Sequence, residues 1–309
     1  MTALREALDD YLRLRRSLGH QMAEAAWLLP DFVTFVEDRG QTTVTIAATL
    51  AWVKSREDEV VTTVSPRRVT AVRGFARYLS GIDPDTEVPP LGLLPHRQRW
   101  RQPFLYCDAD IAAVMAATES LDSPLRAATY RTLIGLLAAA GLRVGEAINL
   151  DRDDIDWTEG VLHIRESKFG KSRLVPLQPS TMNALDEFDA LRDDVVPRPK
   201  DPAFFVSRTA RRLLYAVVSP TFRQLVTAAS VGTDAPHPPR LHDLRHTFAI
   251  RTLLHWYRTG ANVQAKIPSL STYLGHREPA STYWYLSAAP ELLALAAARR
   301  EGIGKAARS

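Results

Sequence analysis

One cysteine in 309 residues, Cys107, leaves this chain without an intrachain disulfide and without a multi-cysteine zinc site. That scarcity suits a reducing compartment. No apolar run reaches the length of a membrane span. No charged-then-apolar leader opens the chain either, because Glu6, Asp9 and Asp10 interrupt it. The expectation is therefore a cytoplasmic protein with no membrane partner. Charge of one sign is scarce overall: the formal net charge is only +4. Such a balance permits nucleic acid as a partner without demanding it, so the distribution of charge matters more than the total. With 46% apolar and 24% charged residues the composition is that of an ordinary globular protein, long enough for two domains.

One local absence is informative. From Val60 to Ile82 there is no acidic residue, while Arg67, Arg68, Arg73 and Arg77 all occur there. The four-residue step from Arg73 to Arg77 puts both on one helix face. This is an electrostatic footprint for a phosphate backbone, and also what a solvated basic face would look like. Residues 1–81 read as four helices. Leu4, Leu8, Tyr11 and Leu12 give one apolar stripe; Leu28, Leu29, Phe32, Phe35 and Val36 give another. Gly19 and Gly40 are the stops. Thr45 to Val53 is the third helix, and Ser65-Pro66 opens the fourth.

Residues 82–106 read as a linker. Pro84, Pro89, Pro90 and Pro95 break any helix, and the acidic stretch from Asp83 to Glu87 cannot build a core. The second half turns basic, with Arg97, Arg99 and Arg101 around Trp100. From Cys107 a second domain is expected to run to residue 309. Asp108 reads as the cap of a helix over Ile111 to Ala117, and Leu125 to Ala140 as a strongly apolar helix. Val161 to Ile164 and Ser172 to Leu177 read as strands joined by a Phe-Gly turn, with Ala203 to Val206 as a third. Most of the remainder is expected to be helical.

The chemistry concentrates late in the chain. Arg240-Leu-His242-Asp243-Leu-Arg245-His246 is followed by Leu274-Gly275-His276 and by Thr282-Tyr283-Trp284-Tyr285-Leu286. Upstream lies Gly141-Leu142-Arg143-Val-Gly-Glu146, and between them Ser167-Lys168-Phe169-Gly-Lys171-Ser172-Arg173-Leu-Val-Pro-Leu177. His242 and Arg245, three apart, share a helix face. Two arginines, a lysine, two histidines and a tyrosine form a kit for breaking a phosphodiester through a covalent phosphotyrosine, with no cofactor and no metal. Guanidinium presents a planar fork that matches two phosphate oxygens. Imidazole titrates near neutrality and can take a proton. From residue types alone the nucleophile could be Tyr283 or Tyr285, and both could equally be packing residues beside Trp284. His242-Asp243-x-x-His246 also has the outline of a zinc-binding pair, with Asp where Glu is usual and Arg245 beside it.

The order and wording of these motifs resemble the tyrosine recombinase (phage integrase) family, over roughly Cys107 to Leu286. The resemblance implies a mainly α fold: an N-terminal helical DNA-binding domain, then an α-rich catalytic domain with a small antiparallel β-sheet. It implies that Tyr285, nine residues after His276, is the nucleophile. Arg143 and Arg245 would clamp the phosphate, His242 would accept the tyrosine proton, and His276 would donate to the phosphate. Lys168 would be the general acid, with Lys171 as the alternative. Glu146 would orient Arg143 or a neighbouring donor, while His246 would be structural or capping. The reaction so implied is strand exchange through a 3′-phosphotyrosine on double-stranded DNA. It would be carried out by a homotetramer on paired sites, with partner recombinases or accessory proteins as possible additions. The same chemistry would serve a resolvase or topoisomerase-like protein, and a chain that had lost it would be a DNA-binding regulator. Wording around Tyr11 and Tyr283 is similar to that of transposon- and insertion-element recombinases. A leucine-bearing helix after Pro290-Glu291 is the expected assembly element, and the DNA partner implies association with the nucleoid.

Overall fold

The computed structural model describes residues 2–55, 64–94, 102–167, 171–276, 278 and 280–288. The chain divides into two units, residues 1–100 and 101–309, with separate apolar cores. The architecture is mainly helical with one small antiparallel sheet, as expected.

The first unit holds α1 (Ala3–Ser17), α2 (Ala23–Glu37), α3 (Ile46–Lys54) and α4 (Val64–Leu79). Their apolar stripes meet around Phe32, Trp52 and Phe75, each fully buried. Phe32 meets Trp52 edge-on at 5.1 Å, and the buried indole N–H donates to Asp31 at 2.9 Å, so its polar end is satisfied. Thr2 and Thr45 cap α1 and α3 by accepting from Arg5 and Ala48 amides.

The acidic half of the expected linker is fastened to this unit. Glu87 accepts from the Ile46 amide at 2.7 Å, at the start of α3, and its own amide donates to Val44 at 2.8 Å. Thr43 and Thr86 are hydrogen-bonded at 2.9 Å. Arg73 closes the segment, donating from Nε to Pro89 and from Nη2 to Pro90, both at 2.7 Å. Val88, Leu93 and Leu94 pack on the helical core. Prolines that forbid helix thus leave carbonyls free for an arginine, and the segment wraps the bundle instead of hanging free.

In the second unit α5 (Asp108–Ala117) and α6 (Pro124–Ala140) are followed by the short α7 (Val144–Ile148). Strands β1 (Ile155–Asp156), β2 (Val161–Ser167) and β3 (Lys171–Pro176) then form the sheet in order β1-β2-β3, with Leu162 opposite Val175 and Ile164 opposite Arg173. The helices α8 (Pro179–Val195), α9 (Tyr215–Ala228), α10 (Leu241–Arg258), α11 (Val263–Leu274) and α12 (Ala280–Ala288) complete it. Among the described residues no helix is long and apolar enough to cross a membrane.

Two expectations need correction. The cap of α5 is Cys107, not Asp108: Asp110 returns a carboxylate to the Cys107 amide at 2.7 Å and closes a capping box. Ala203 to Val206 is not a sheet strand; it makes only isolated bridges, from Ala203 to Asp151 and from Val206 to Arg212. Phe204 and Phe205 are both fully buried, packed edge to face at 5.0 Å. A segment that buries consecutive side chains does not present the one-sided alternation of a half-exposed strand. The Phe-Gly turn and the helix after Pro290 lie outside the described residues.

Replacing Arg73 with Ala removes both tethers of the wrapped segment. Urea unfolding of the full chain should show a loss of about 1–2 kcal/mol in the first unit. Limited proteolysis should cut within 83–94 sooner than in the parent.

Candidate active site

The site is assembled on a helix end. In α11 the amides of Gly275 and His276 donate to Thr272 and Ser271 at 2.9 Å each, and Gly275 turns the chain with φ +66°. Among the described residues no amide donates to the next three carbonyls. Arginines supply the missing donors: Arg173 Nε donates to Tyr273 at 2.7 Å, Arg245 Nη2 to Leu274 at 2.5 Å and Arg143 Nη2 to Gly275 at 2.7 Å. A helix C-terminus carries partial negative charge, so three cations are attracted there. Space matters there too: a Cβ on Gly275 would lie 2.8 Å from Arg173 Nη1 and 3.3 Å from Arg143 Nη1, so a larger residue would displace those guanidiniums.

Arg245 comes from α10 and is 2% exposed. Its Nη1 donates to Gly141, the C-cap of α6, at 2.8 Å. Gly141 has φ +59°, and a Cβ on it would lie 2.4 Å from the Phe248 ring. The α6 end and the α11 end thus grip one guanidinium between them. Burial and the neighbouring cations lower its pKa to about 10, a value at which it remains charged.

Arg143 caps α7 and Glu146 sits one turn inside it. Glu146 accepts from the Arg143 amide at 2.9 Å and from Arg143 Nη1 at 2.6 Å. From the other side Arg173 donates to both carboxylate oxygens, at 3.0 and 2.8 Å. Burial alone would raise the Glu146 pKa, but the hydrogen bonds from Arg173 and Arg143 outweigh it and bring the value to about 2.

Tyr285 comes from α12 and is 2% exposed. His276 lies nearly parallel to its ring at 6.0 Å, and His246 meets it edge-on at 5.5 Å. Burial pushes its hydroxyl pKa up, while the charge of Arg245 and a hydrogen bond from it pull the other way. Tyr283, two residues earlier, is 48% exposed, so the sole tyrosine of this pair inside the cluster is Tyr285. His276 is fixed by a 2.7 Å hydrogen bond between Nδ1 and the Thr282 hydroxyl. His242 projects from α10 at an exposed position, its ring 4.6 Å from that of His246. Burial and then the nearby cations depress His246 to about 3 and His276 to about 4. His242 is lowered as well, to about 4, because the surrounding protein crowds its ring behind the exposed edge and the Arg245 charge stands nearby.

The structure therefore brings together Arg143, Glu146, His242, Arg245, His276 and Tyr285. Lys168 lies outside the described residues, as do Arg97, Arg99 and Arg101. In the first unit Arg67 and Arg77 are exposed, and Arg67 pairs with Glu24 at 3.6 Å. Arg68, expected to face a phosphate backbone, is instead 6% exposed and 5.7 Å from the Trp52 ring. It lies four, seven and eleven residues before Val72, Phe75 and Leu79, on the core face of α4. Arg73 is likewise spent on Pro89 and Pro90. Asp243, the acid of the zinc-like outline, is turned to Arg240, accepting from its amide and from Nη2 at 2.8 Å each. Among the described residues no three His, Cys, Asp or Glu gather as metal ligands would.

Sequence reasoning passed over Arg173. The signal was present: strand alternation puts Arg173 on the face of Val175, which is buried, and opposite exposed Leu174. A cation on the core side of a strand requires a carboxylate partner.

The profile of the phage integrase family matches residues 108–291. Over 97% of this chain and 98% of the relative, the sequence is 39% identical to the Sinorhizobium fredii protein y4rB, an integrase/recombinase by name. It is 31% identical to tyrosine recombinase XerC of Azotobacter vinelandii over 71% of this chain and 67% of that one. Among solved structures, the Tn1549 transposon integrase in complex with transposon right end DNA superposes with a TM-score of 0.66. That match is 15% identical and covers 98% of this chain and all of the other. A lambda integrase tetramer bound to a Holliday junction gives 0.61 at 17% identity, over 91% of this chain and 76% of that one.

Folding keeps His246 and His276 neutral, whereas an unfolded histidine binds a proton below about pH 6.5. The unfolded state therefore takes up more protons between pH 6.5 and 4, and stability falls as the pH drops through that window. With solvent screening discounted, the two rings together should cost on the order of 3 kcal/mol by pH 4.5. Urea midpoints measured from pH 7 to 4.5 should decline, and His246→Phe should flatten the decline.

Proposed function

This chain belongs to the phage integrase family, and on that premise we propose that Tyr285 is the nucleophile with which it cuts and rejoins DNA. The protein is a tyrosine-type site-specific recombinase acting on double-stranded DNA. The observation that carries the residue-level reading is the convergence of Tyr285 with Arg245, Arg143 and His276 around the end of α11.

Each clamp has donors to spare. Arg245 spends one N–H each on Gly141, Leu274 and the Tyr285 hydroxyl, and Arg143 spends one from each terminal nitrogen on Glu146 and Gly275. A guanidinium carries five N–H groups, so each keeps an outer edge for phosphate oxygens. Backbone carbonyls hold both in place before substrate arrives, which is the preorganisation that stabilises charge building on a phosphate. Tyr285 attacks the phosphorus and gives its proton to neutral His242. The bond to the 5′ oxygen breaks, and Lys168 protonates that oxygen as it leaves. A 3′-phosphotyrosine remains, storing the energy of the broken bond. Attack on it by the 5′ hydroxyl of the partner strand reseals DNA without ATP.

On this reading His276 donates to a phosphate oxygen, and its neutral Nε2–H serves that purpose while Nδ1 faces Thr282. Four protomers act on paired sites, in the manner that the lambda integrase tetramer on its Holliday junction suggests. Resemblance to y4rB and to the Tn1549 integrase favours movement of a mobile element as the biological setting. Arg67 and Arg77 contribute affinity for the DNA backbone, and accessory proteins or partner recombinases would add to target choice. The protein works where the chromosome is, associated with the nucleoid.

Footprinting on the DNA that flanks its coding sequence supplies a target, from which a nicked suicide duplex can be built. Tyr285→Phe should bind that duplex as tightly as the parent and form no covalent adduct on denaturing gels, whereas Tyr283→Phe should form it. The reverse pattern would refute the assignment. Lys168→Ala should slow cleavage about 100-fold or more. A 5′-bridging sulfur should restore most of that loss, because a thiolate leaves without a proton. Lys171→Ala should be affected far less.

A further inference from the structure

We infer that Arg173 is a positioning residue for strand cleavage: it holds Glu146 so that Arg143 keeps both its orientation and its charge for the scissile phosphate. The inference rests on the phosphodiester reading above and extends it to a residue that does not reach substrate. Arg173 is only 9% exposed along its side chain. All three of its guanidinium nitrogens are committed, Nε to Tyr273 and the two terminal nitrogens to Glu146.

The arrangement is a carboxylate shared between two cations. One Glu146 oxygen accepts from Arg143 Nη1 at 2.6 Å and from Arg173 Nη1 at 3.0 Å. The other accepts from the Arg143 amide at 2.9 Å and from Arg173 Nη2 at 2.8 Å. Two positive groups and one negative leave the trio with one net positive charge. If Arg173 were absent, Glu146 would neutralise Arg143 alone, and the phosphate would face an ion pair in place of a cation. Geometry would suffer as well. Glu146 is 6% exposed, and without Arg173 it would be a buried carboxylate with half its donors gone, free to swing and draw Arg143 with it.

Arg173 also joins elements that the chain keeps far apart. It stands on β3, opposite Ile164 of β2, and grips α7 through Glu146 and the α11 end through Tyr273. A Cβ on Gly275 would touch both Arg173 and Arg143, so the two guanidiniums pass the same glycine on their way to adjacent carbonyls. Moving Arg173 would therefore disturb the seat of Arg143 directly.

The test is single-turnover cleavage of the nicked duplex by the full-length protein. Arg173→Gln should cleave about 30-fold more slowly while its affinity for the duplex changes less than threefold. The double variant Glu146→Gln/Arg173→Gln should be within twofold of Glu146→Gln, because one acts through the other. On a duplex whose scissile phosphate is a methylphosphonate, the gap between parent and Arg173→Gln should shrink to below threefold. That substrate has lost the charge that Arg143 is held to meet, whereas general loosening of the fold would slow both substrates alike. Arg173→Lys keeps the buried charge but not the fork, and should recover part of the rate; it serves as the probe if Arg173→Gln does not fold. Full activity of Arg173→Gln, additive losses in the double variant, or equal losses on both substrates would overturn the inference. A parent protein that formed no adduct at all would instead overturn the phosphodiester reading.

Discussion

The end of α11 is the point on which the rest of the second unit depends. A helix leaves its last carbonyls without amide partners, and in a protein interior each must find a donor. Here two are answered by the turn at Gly275 and His276. The next three are answered by Arg173, Arg245 and Arg143, arriving from β3, α10 and the start of α7. A structural debt common to every helix is thus met by side chains with charge and donors left over. The same bonds that complete the helix assemble the site.

This solution dictates the electrostatics around it. Three guanidiniums in a small volume need a counter-charge, and Glu146 supplies one, ionised down to about pH 2. One carboxylate against three cations leaves a surplus of positive charge, which repels further protons. His246 and His276 accordingly stay neutral, both for lack of water and for excess of cations. Tyr285 experiences the opposite balance: burial holds its proton on, while Arg245 favours its release. The surplus suits an incoming phosphate, which would complete the charge balance that the protein leaves open.

Arginines in the first unit show that charge alone does not announce its use. Arg67, Arg68, Arg73 and Arg77 belong to one basic helix, yet they have three fates. Arg68 is inside, beside Trp52. Arg73 binds proline carbonyls and wraps the following segment onto the bundle. Arg67 and Arg77 remain exposed. Proline-rich sequence supplied the acceptors that consumed Arg73, so a stretch that resists regular structure became part of the unit.

Local periodicity determined the helical stripes of α1 to α4 and of α6, the two main strands, and the shared face of His242 and Arg245. These depend on residues within a few positions of one another, and the rules that govern them are short-ranged. Motif wording carried Arg143, Glu146, Arg245, His276 and Tyr285 to within reach of a site. It left Tyr283 and Tyr285 distinguishable only by resemblance, until burial separated them. Pairwise commitments were not legible. Nothing in the neighbourhood of Arg143 says that it will meet a carbonyl 132 residues away. Arg173 carried no assigned role until the sheet face fixed it against Glu146, and Phe204 and Phe205 looked like a strand until both side chains turned inward. Sequence set which segments could be helix or strand and which residues could do chemistry. Tertiary structure decided which cations would be spent on backbone carbonyls and which would keep a free edge, because that depends on where distant helices end.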